Sequence, residues 1–316
     1  MSIRAKRGVI RLKEKSDVEL TKVILKLKQR RNAVILAHNY QSGEVQDIAD
    51  FVGDSLELSQ KAAGVDAEVI VFCGVSFMAE TASILCPEKI VLLPDMHAGC
   101  PMADMISAED LREWKERYPN AAVVCYVNST AAVKAQSDIC CTSANGLEVV
   151  ESLSHDEIIF VPDQHLGHYI ATKTDKRMIL YPGFCHPHQR LVPRHIKLGK
   201  ELHPDAVVLV HPECSSEVIA LADRALSTSQ MIRYVKESDA KNILIGTEEG
   251  ILHRMRRESP EKTFHLLTTG LLCPDMKRTS LESVVRTMEQ RRNVVKVPED
   301  VRVAAKLALD RMLAVI

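Results

Sequence analysis

Three cysteines stand at matching places in the chain, each a few residues after a short apolar segment. Cys100 follows the segment KIVLLPD, Cys185 follows RMILYPG and Cys273 follows TFHLLTT, at intervals of 85 and 88 residues. Three thiolates can hold a zinc ion with an open fourth position, or an iron–sulfur cluster in which one iron has no protein ligand. Either group would act as a Lewis acid beside the surrounding residues. The spacing therefore favours a shared metal centre over three separate core residues.

The cysteine intervals belong to a threefold repeat that runs through the sequence. The first apolar segment of each copy starts at Ala33, Ala121 and Ala206, at intervals of 88 and 85 residues. Each copy also has an aspartate five residues before a serine or threonine, and these aspartates keep the same intervals. The aspartates are Asp50, Asp138 and Asp223. Repeats of this length are whole domains rather than solenoid units.

The pattern inside each copy predicts a small parallel sheet. Nine apolar segments rich in Val and Ile alternate with helical segments, as is typical of parallel strands joined by helices. The shorter segments FVGD, ICCT and RALS add an edge strand to each copy. We predict an α/β fold with three homologous αβα domains related by pseudo-threefold symmetry, and an active site on the axis between them. The predicted domains are residues 1–108, 109–197 and 198–285, with the helices of 286–316 packing on the first.

Polar side chains follow the predicted strands, at the edge where parallel sheets bind ligands. Three of them are hydroxyls that we expect to cap the next helix: Ser55, Ser143 and Thr228. The others are His38, His188, His211, Tyr40, Tyr126, Asn128 and Glu213. Such a set can hold an anionic substrate and transfer protons. The six remaining cysteines have no threefold equivalents and are interpreted as structural, including Cys214 next to Glu213.

Composition excludes several classes of function. The chain has 41 basic and 42 acidic side chains, so no overall field attracts nucleic acid or an anionic membrane. No apolar segment approaches the roughly 18 residues of a spanning helix, and the start MSIRAKRGVIRLKEK lacks the features of a signal peptide, so we expect a cytoplasmic protein. The residues alone do not decide whether the metal group is zinc or an iron–sulfur cluster. They also leave three functions open: a redox or metal sensor, a zinc-dependent aldolase or dehydratase of a phosphorylated sugar, or another enzyme.

The motifs taken together resemble the quinolinate synthase family, from about Leu36 to Met276. They are ILAHNYQ, QDIADFVGDSLELSQKA, GVSFMAETASIL, GCPMADM, YVNST, CTSAN, HPEC, STSQM and GTEEGILHRM. The resemblance implies the condensation of iminoaspartate with dihydroxyacetone phosphate to quinolinate, phosphate and two waters, in de novo NAD biosynthesis. It also implies a [4Fe-4S] cluster held by Cys100, Cys185 and Cys273, one from each domain. An aspartate oxidase or dehydrogenase is the expected source of the imine.

The same resemblance implies roles for individual residues. The catalytic residues would be Tyr40, Glu213, His38 and His211. The substrate-binding residues would be His38, Ser55, Tyr126, Val127, Asn128, Ser143, His188, His211, Pro212, Glu213 and Thr228. Glu213, Tyr40 and the histidines would transfer protons, while the hydroxyls would hold anionic groups. Two positions depart from the family pattern: Leu226 replaces the usual glycine, and Pro187 replaces a small aliphatic residue.

Overall fold

Three sheets of identical topology frame the molecule. The computed structural model describes residues 16–315, in which each sheet has four parallel strands. The first sheet contains β1 (Ala33–His38), β2 (Phe51–Gly53), β3 (Val69–Cys73) and β4 (Ile90–Leu92). The second contains β5 (Ala122–Tyr126), β6 (Ile139–Cys141), β7 (Glu157–Val161) and β8 (Arg177–Leu180). The third contains β9 (Val207–Val210), β10 (Arg224–Ala225), β11 (Asn242–Gly246) and β12 (Thr263–Leu266).

Helices connect the strands and cover the sheets. In the first third of the chain they are α1 (Asp17–Arg31), α2 (Gly43–Asp47), α3 (Ser55–Gly64) and α4 (Ser76–Leu85). In the second they are α5 (Ala108–Arg117), α6 (Ala131–Ala135), α7 (Gly146–Ser152), α8 (Gln164–Ala171) and α9 (His186–Gln189). The last are α10 (Pro193–Leu202), α11 (Ser216–Leu221), α12 (Thr228–Glu237), α13 (Ile251–Glu258), a 3-10 helix at Met276–Arg278, α14 (Leu281–Gln290) and α15 (Glu299–Ala314).

The strand order confirms the predicted fold class. The orders are β2-β1-β3-β4, β6-β5-β7-β8 and β10-β9-β11-β12, so each short edge strand lies beside the first strand of its copy. The registers also match, because Leu36 pairs with Phe51 just as Val124 pairs with Ile139. The predicted boundary at 197/198 falls within α10 and the one at 285 falls within α14. Residues 1–15 of the first predicted domain, including the segment tested for a signal peptide, lie outside the described residues.

The last two helices pack on different domains. The apolar face of α14, with Leu281, Val284 and Met288, packs on α1 and the first sheet. The face of α15 instead joins the core of the second domain, where Leu309 and Met312 are completely buried. A short loop connects α14 to α15, so the C-terminal segment packs on two domains. No helix between residues 16 and 315 has the length and apolar character needed to span a bilayer.

The hydroxyls predicted as helix caps do not cap their helices. Asp54 is the N-cap of α3, where its carboxylate accepts hydrogen bonds from Leu56 N and Glu57 N, so Ser55 lies one residue inside the helix. Ser227 likewise caps α12 in place of Thr228. Ser143 lies two residues before Asn145, the N-cap of α7. In α3 and α12 a neighbouring side chain accepts hydrogen bonds from the free backbone N–H groups, so the hydroxyls of Ser55 and Thr228 are available to a ligand.

Candidate metal centre and substrate cavity

One cavity is lined by residues that follow strands of all three domains. It has a volume of about 250 Å³, which suits a small metabolite. Thirteen of the fifteen predicted site residues line it. They are His38, Tyr40, Ser55, Cys100, Tyr126, Asn128, Ser143, Cys185, His188, His211, Glu213, Thr228 and Cys273. The two others, Val127 and Pro212, are buried but do not belong to the described cavity wall. Each lies in the chain between two residues that do line it.

Glu213 lies at the centre of the hydrogen bonds in this cavity. Its Oε1 accepts a hydrogen bond from the Tyr126 hydroxyl at 2.7 Å and a longer one from the Asn128 amide at 3.4 Å. Its Oε2 lies 2.7 Å from His188 Nδ1. Burial opposes ionisation, but His211, His188 and the hydrogen bonds outweigh it and lower the pKa of Glu213. The cavity therefore contains a buried carboxylate base.

His38 and His211 have the same local geometry, one in each repeat. His38 Nδ1 accepts a hydrogen bond from Tyr40 N, and His211 Nδ1 accepts one from Glu213 N, each at 3.2 Å. Burial lowers the pKa of both imidazoles to about 3, so both are neutral at pH 7. In a neutral ring whose Nδ1 accepts, Nε2 carries the proton. Both histidines therefore present an N–H donor to a ligand.

The two tyrosines remain protonated. Burial, reinforced by the charge of Glu213, raises the pKa of Tyr40 and of Tyr126 well above its usual value. Tyr126 donates to Glu213, whereas the Tyr40 hydroxyl lies 2.5 Å from Thr247 Oγ1. Both phenols are thus hydrogen-bond donors at neutral pH rather than bases.

The three repeat cysteines lie in the cavity wall and are partly buried. The residue after each cysteine is exposed: Pro101, His186 and Pro274. Burial of the thiols themselves raises the pKa of Cys100 to about 12 and also raises the pKa of Cys185 and of Cys273. A metal must therefore displace protons from these thiols when it binds. Cys214, by contrast, is completely buried in the core of the third domain.

The donor atoms of the cavity could hold a metal group in two ways. Among the described residues, the ligand atoms of Cys185, His188 and Glu213 lie within 4.8 Å of one another. Cys100, Cys185 and Cys273 together offer an all-sulfur donor set in the wall of the same cavity. Such a set suits either zinc or an iron–sulfur cluster.

The departures from the family pattern leave the site intact. Pro187 lies in the first turn of α9, where proline is compatible with a helix. That turn holds His188 with Nδ1 3.1 Å from Cys185 Sγ. Leu226 packs on the core formed by the first and third domains, and its backbone N–H donates to Val210 O.

The sequence analysis missed several residues that support the site. Thr247 and Glu248 follow β11, and both are completely buried. Glu248 accepts a hydrogen bond from Cys273 N at 3.1 Å and pairs with Lys277 at 2.9 Å. Lys277 also donates to the backbone oxygen of Tyr40 at 2.6 Å. The sequence pointed to Thr247 and Glu248 only through the polar segment GTEEG, which follows an apolar segment and so indicates the end of a strand.

Comparisons with known proteins agree on one family. The model of the family described as "Quinolinate synthetase A protein" matches residues 22–314. The quinolinate synthase of Dehalococcoides mccartyi (strain CBDB1) is 57% identical over 93% of this chain and 97% of its own. That of Geobacter sp. (strain M21) is 58% identical over 95% and 97%, respectively. That of Methanosarcina barkeri (strain Fusaro) is 54% identical over 95% and 98%.

Proposed function

The chain belongs to the quinolinate synthase family, and we propose from this membership that it condenses iminoaspartate with dihydroxyacetone phosphate to quinolinate, phosphate and two waters. The chain is thus an enzyme of NAD biosynthesis that acts on small molecules. The observation that carries the proposed reaction is the meeting of three thiols, a buried carboxylate and two neutral imidazoles in one cavity. This inventory combines metal ligands with groups that can transfer protons.

The family consists of iron–sulfur enzymes, and for this chain we infer one [4Fe-4S] cluster. Cys100, Cys185 and Cys273 would hold it, which leaves one iron without a protein ligand. In support, each thiol comes from a different domain, and all three line the same cavity. Such a cluster supplies a Lewis acid that assists the loss of water. Glu248 supports the ligand loop by accepting a hydrogen bond from Cys273 N.

The remaining residues of the cavity bind and orient the substrates in this proposal. Ser55, Ser143 and Thr228 lie near helix N-termini, where free hydroxyls and the helix dipole favour carboxylate or phosphate. His38 and His211 donate their Nε2 protons to the same anionic groups. Glu213 accepts the proton that tautomerisation and ring closure release, with Tyr40 as its counterpart acid. Tyr126 and Asn128 orient Glu213, and His188 contacts it from the other side.

A mononuclear metal site is the second candidate. It is favoured by the close approach of Cys185, His188 and Glu213. A zinc ion there would make the protein a zinc-dependent aldolase or dehydratase, and Glu213 would then be a ligand rather than a base.

Metal analysis and activity separate the two candidates. The protein is purified without oxygen, its iron, sulfide and zinc are counted, and quinolinate formation is assayed. We expect iron and sulfide close to four of each per chain. Cys100→Ser, Cys185→Ser and Cys273→Ser should each lose the cluster, whereas the matched control Cys214→Ser should keep it. A zinc protein that forms no quinolinate would refute the proposal, and cluster loss in Cys214→Ser would refute the ligand assignment.

The supply of the imine and the cellular location follow from the same proposal. Iminoaspartate hydrolyses in water, so an aspartate oxidase or dehydrogenase is its proposed source. We also propose a cytoplasmic location, because all nine cysteines of the chain are free thiols in the structure and free thiols persist in reducing compartments.

A further inference from the structure

Lys277 connects the Tyr40 loop of the first domain (residues 39–42) to the Cys273 turn of the third (residues 273–277). Its ammonium group donates to Tyr40 O at 2.6 Å and lies 2.9 and 3.1 Å from the two carboxylate oxygens of Glu248. Glu248 is completely buried, and its Oε1 also accepts a hydrogen bond from Cys273 N at 3.1 Å. The ammonium group therefore has an acceptor for each of its three hydrogens, which gives the side chain one orientation.

The Cys273 turn is hydrogen-bonded to the Tyr40 loop at a second point. The turn is closed on itself, because Lys277 N donates to Cys273 O at 3.3 Å. The residue before Lys277, Met276, accepts a hydrogen bond at its backbone oxygen from Gln41 Nε2, at 2.8 Å. Two successive residues on each side of the domain boundary are thus hydrogen-bonded to each other. A relative movement of the two segments would break both hydrogen bonds.

Gly250 allows the third domain to approach the Tyr40 loop closely. A Cβ atom on Gly250 would lie 2.6 Å from Tyr40 O and 2.7 Å from Gln41 O, closer than such atoms normally pack. Gly250 N donates to Glu248 Oε2 at 2.7 Å, so the carboxylate that pairs with Lys277 also holds this glycine in place. The backbone oxygen of Tyr40 is therefore held by a hydrogen bond from an ammonium group and by close packing against the third domain.

The side chain of Tyr40 contacts the same part of the third domain. Its hydroxyl lies 2.5 Å from Thr247 Oγ1, and Thr247 directly precedes Glu248 at the end of β11. Tyr40 is thus held at both ends, at its backbone oxygen and at its hydroxyl. The ring lines the cavity, where the proposed function makes Tyr40 an acid. The place of a first-domain reactive group is therefore set by residues of the third domain.

We propose that Lys277 is a positioning residue that holds Tyr40 at a fixed place relative to the Cys273 turn. The inference rests on the proposed function, in which Tyr40 supplies a proton and Cys273 is a cluster ligand. Lys277 and Glu248 form a continuous path of hydrogen bonds from Tyr40 O to Cys273 N across the domain boundary. Because a displacement of about 1 Å can cost on the order of 100-fold in rate, loss of this path should slow the chemical step more than it weakens substrate binding.

Two substitutions at Lys277 test its role. Lys277→Met removes the ammonium group but keeps a long apolar stem, and we expect it to lower kcat about tenfold or more while KM changes less than about threefold. Lys277→Arg keeps a cation that can donate to the same acceptors and should restore most of the rate. Lys306→Met is the control, because Lys306 pairs with Asp310 on the surface of α15. It should keep the wild-type rate.

Gly250→Ala disturbs the same contact without removing a charge. It therefore tests the proposal even if Lys277→Met fails to fold. The added methyl group would displace the Tyr40 loop, and kcat should fall as in Lys277→Met. Gly64→Ala is the matched control, because a Cβ on Gly64 would meet no other part of the molecule within 4 Å. A wild-type kcat in Gly250→Ala would contradict the proposal.

A double-mutant cycle shows whether Lys277 acts through Tyr40. If it does, Lys277→Met should lower kcat much less in the Tyr40→Phe background than in the wild type. Fully additive effects would mean that Lys277 does not position Tyr40, and that it supports the fold in some other way.

Hydrogen exchange of the cluster-loaded protein gives a readout that does not depend on activity. The backbone N–H groups of the Tyr40 loop and of the Cys273 turn should exchange faster in Lys277→Met and in Gly250→Ala than in the wild type. Lys277→Arg and the two controls should exchange at the wild-type rate. Iron content and thermal midpoints are recorded for every variant.

The outcomes separate this inference from the proposed function. If Lys277→Met keeps the wild-type kcat and the wild-type exchange of both segments, the inference is wrong and the function stands. If the wild-type protein forms no quinolinate, the proposed function fails, and hydrogen exchange decides the inference alone. Unchanged exchange in Lys277→Met would then refute it, whereas faster exchange in both segments would support it.

Discussion

At the scale of single residues, Thr228 shows how buried neighbours direct a hydroxyl toward a ligand. Arg254 Nη1 donates to Asn39 Oδ1 at 3.0 Å, and arginine can only donate, so the amide of Asn39 has one orientation. Asn39 Nδ2 then donates to Thr228 Oγ1 at 3.0 Å. Because the oxygen of Thr228 already accepts this hydrogen bond, its own hydrogen is free to point into the cavity. Thr228 is thus prepared to donate to an anion.

Asn39→Asp reverses this arrangement with almost no change in shape. The carboxylate would still pair with Arg254, so folding should be preserved, but it would accept the hydrogen of Thr228 and turn it away from the cavity. We expect the KM for the anionic substrate to rise at least tenfold, the value of one lost hydrogen bond to a charged group, with a smaller effect on kcat. Steady-state kinetics of Asn39→Asp, Thr228→Val and the double variant test this. Fully additive effects would contradict a shared mechanism.

His38 and His211 predict a loss of stability in acid. Burial lowers the pKa of each from 6.5 to about 3, so below pH 6.5 the unfolded chain binds protons that the folded chain does not. Stability is therefore fully present above pH 6.5 and falls as the pH decreases toward 3. The slope is about 1.4 kcal/mol per pH unit for each histidine.

Unfolding midpoints between pH 7.5 and pH 4.5 measure this slope. His211→Asn should flatten it by removing one of the two buried groups, whereas replacement of the exposed His155 by Asn should leave it unchanged. A wild-type midpoint that does not vary over this range would mean that the two imidazoles are not kept neutral by burial.

At the scale of elements, the repeated aspartates stabilise the start of each edge strand. Asp50, Asp138 and Asp223 each accept a hydrogen bond from a backbone N–H of the neighbouring first strand, at 2.7–2.8 Å. Each also donates its own backbone N–H to the same strand residue. The aspartates therefore recur in the sequence because they close the turn into the edge strand, not because they belong to the cavity.

Asp138→Ala removes the acceptor for the buried Val123 N–H, and we expect it to cost about 1–3 kcal/mol. Asp138→Asn keeps an acceptor oxygen and should cost less. Replacement of the exposed Asp156 by Ala is the control. The fluorescence of Trp114, the only tryptophan of the chain, reports on this domain because its ring packs on the core of the second domain. Equal urea midpoints for wild type and Asp138→Ala would contradict the role given to the aspartate.

The elements were predicted well from the sequence, and their ends less well. Apolar segments of parallel strands are distinct because both faces of such a strand are buried, so all twelve strands of the described chain coincide with predicted segments. The caps were misplaced because Asp54–Ser55 and Ser227–Thr228 each offer two adjacent residues that can cap. The repeat could not reveal Thr247 either, since its equivalents are Gly74 and Pro162, which share no chemistry with it.

At the scale of the whole molecule, α15 joins domains that are distant in sequence. Its buried face contacts α6 and β6 of the second domain and also α4 of the first. From the sequence we predicted that the helices of residues 286–316 pack on the first domain. An apolar face fits any complementary surface, however, and only the assembled fold decides which surface is free. The cavity needs the same assembly, since Cys100, Cys185 and Cys273 come from three different domains.

Leu309→Ala tests the placement of α15. Leu309 is completely buried in the core of the second domain, and its truncation should cost about 2–5 kcal/mol. Leu307, on the same helix, is 57% exposed, so Leu307→Ala should change stability by no more than about 0.5 kcal/mol.

Urea unfolding followed by Trp114 fluorescence compares the two variants. Because α15 seals the second domain, Leu309→Ala should shift the Trp114 transition to lower urea. An unchanged Trp114 transition, with a loss of stability seen by other probes, would mean that α15 stabilises the first domain instead.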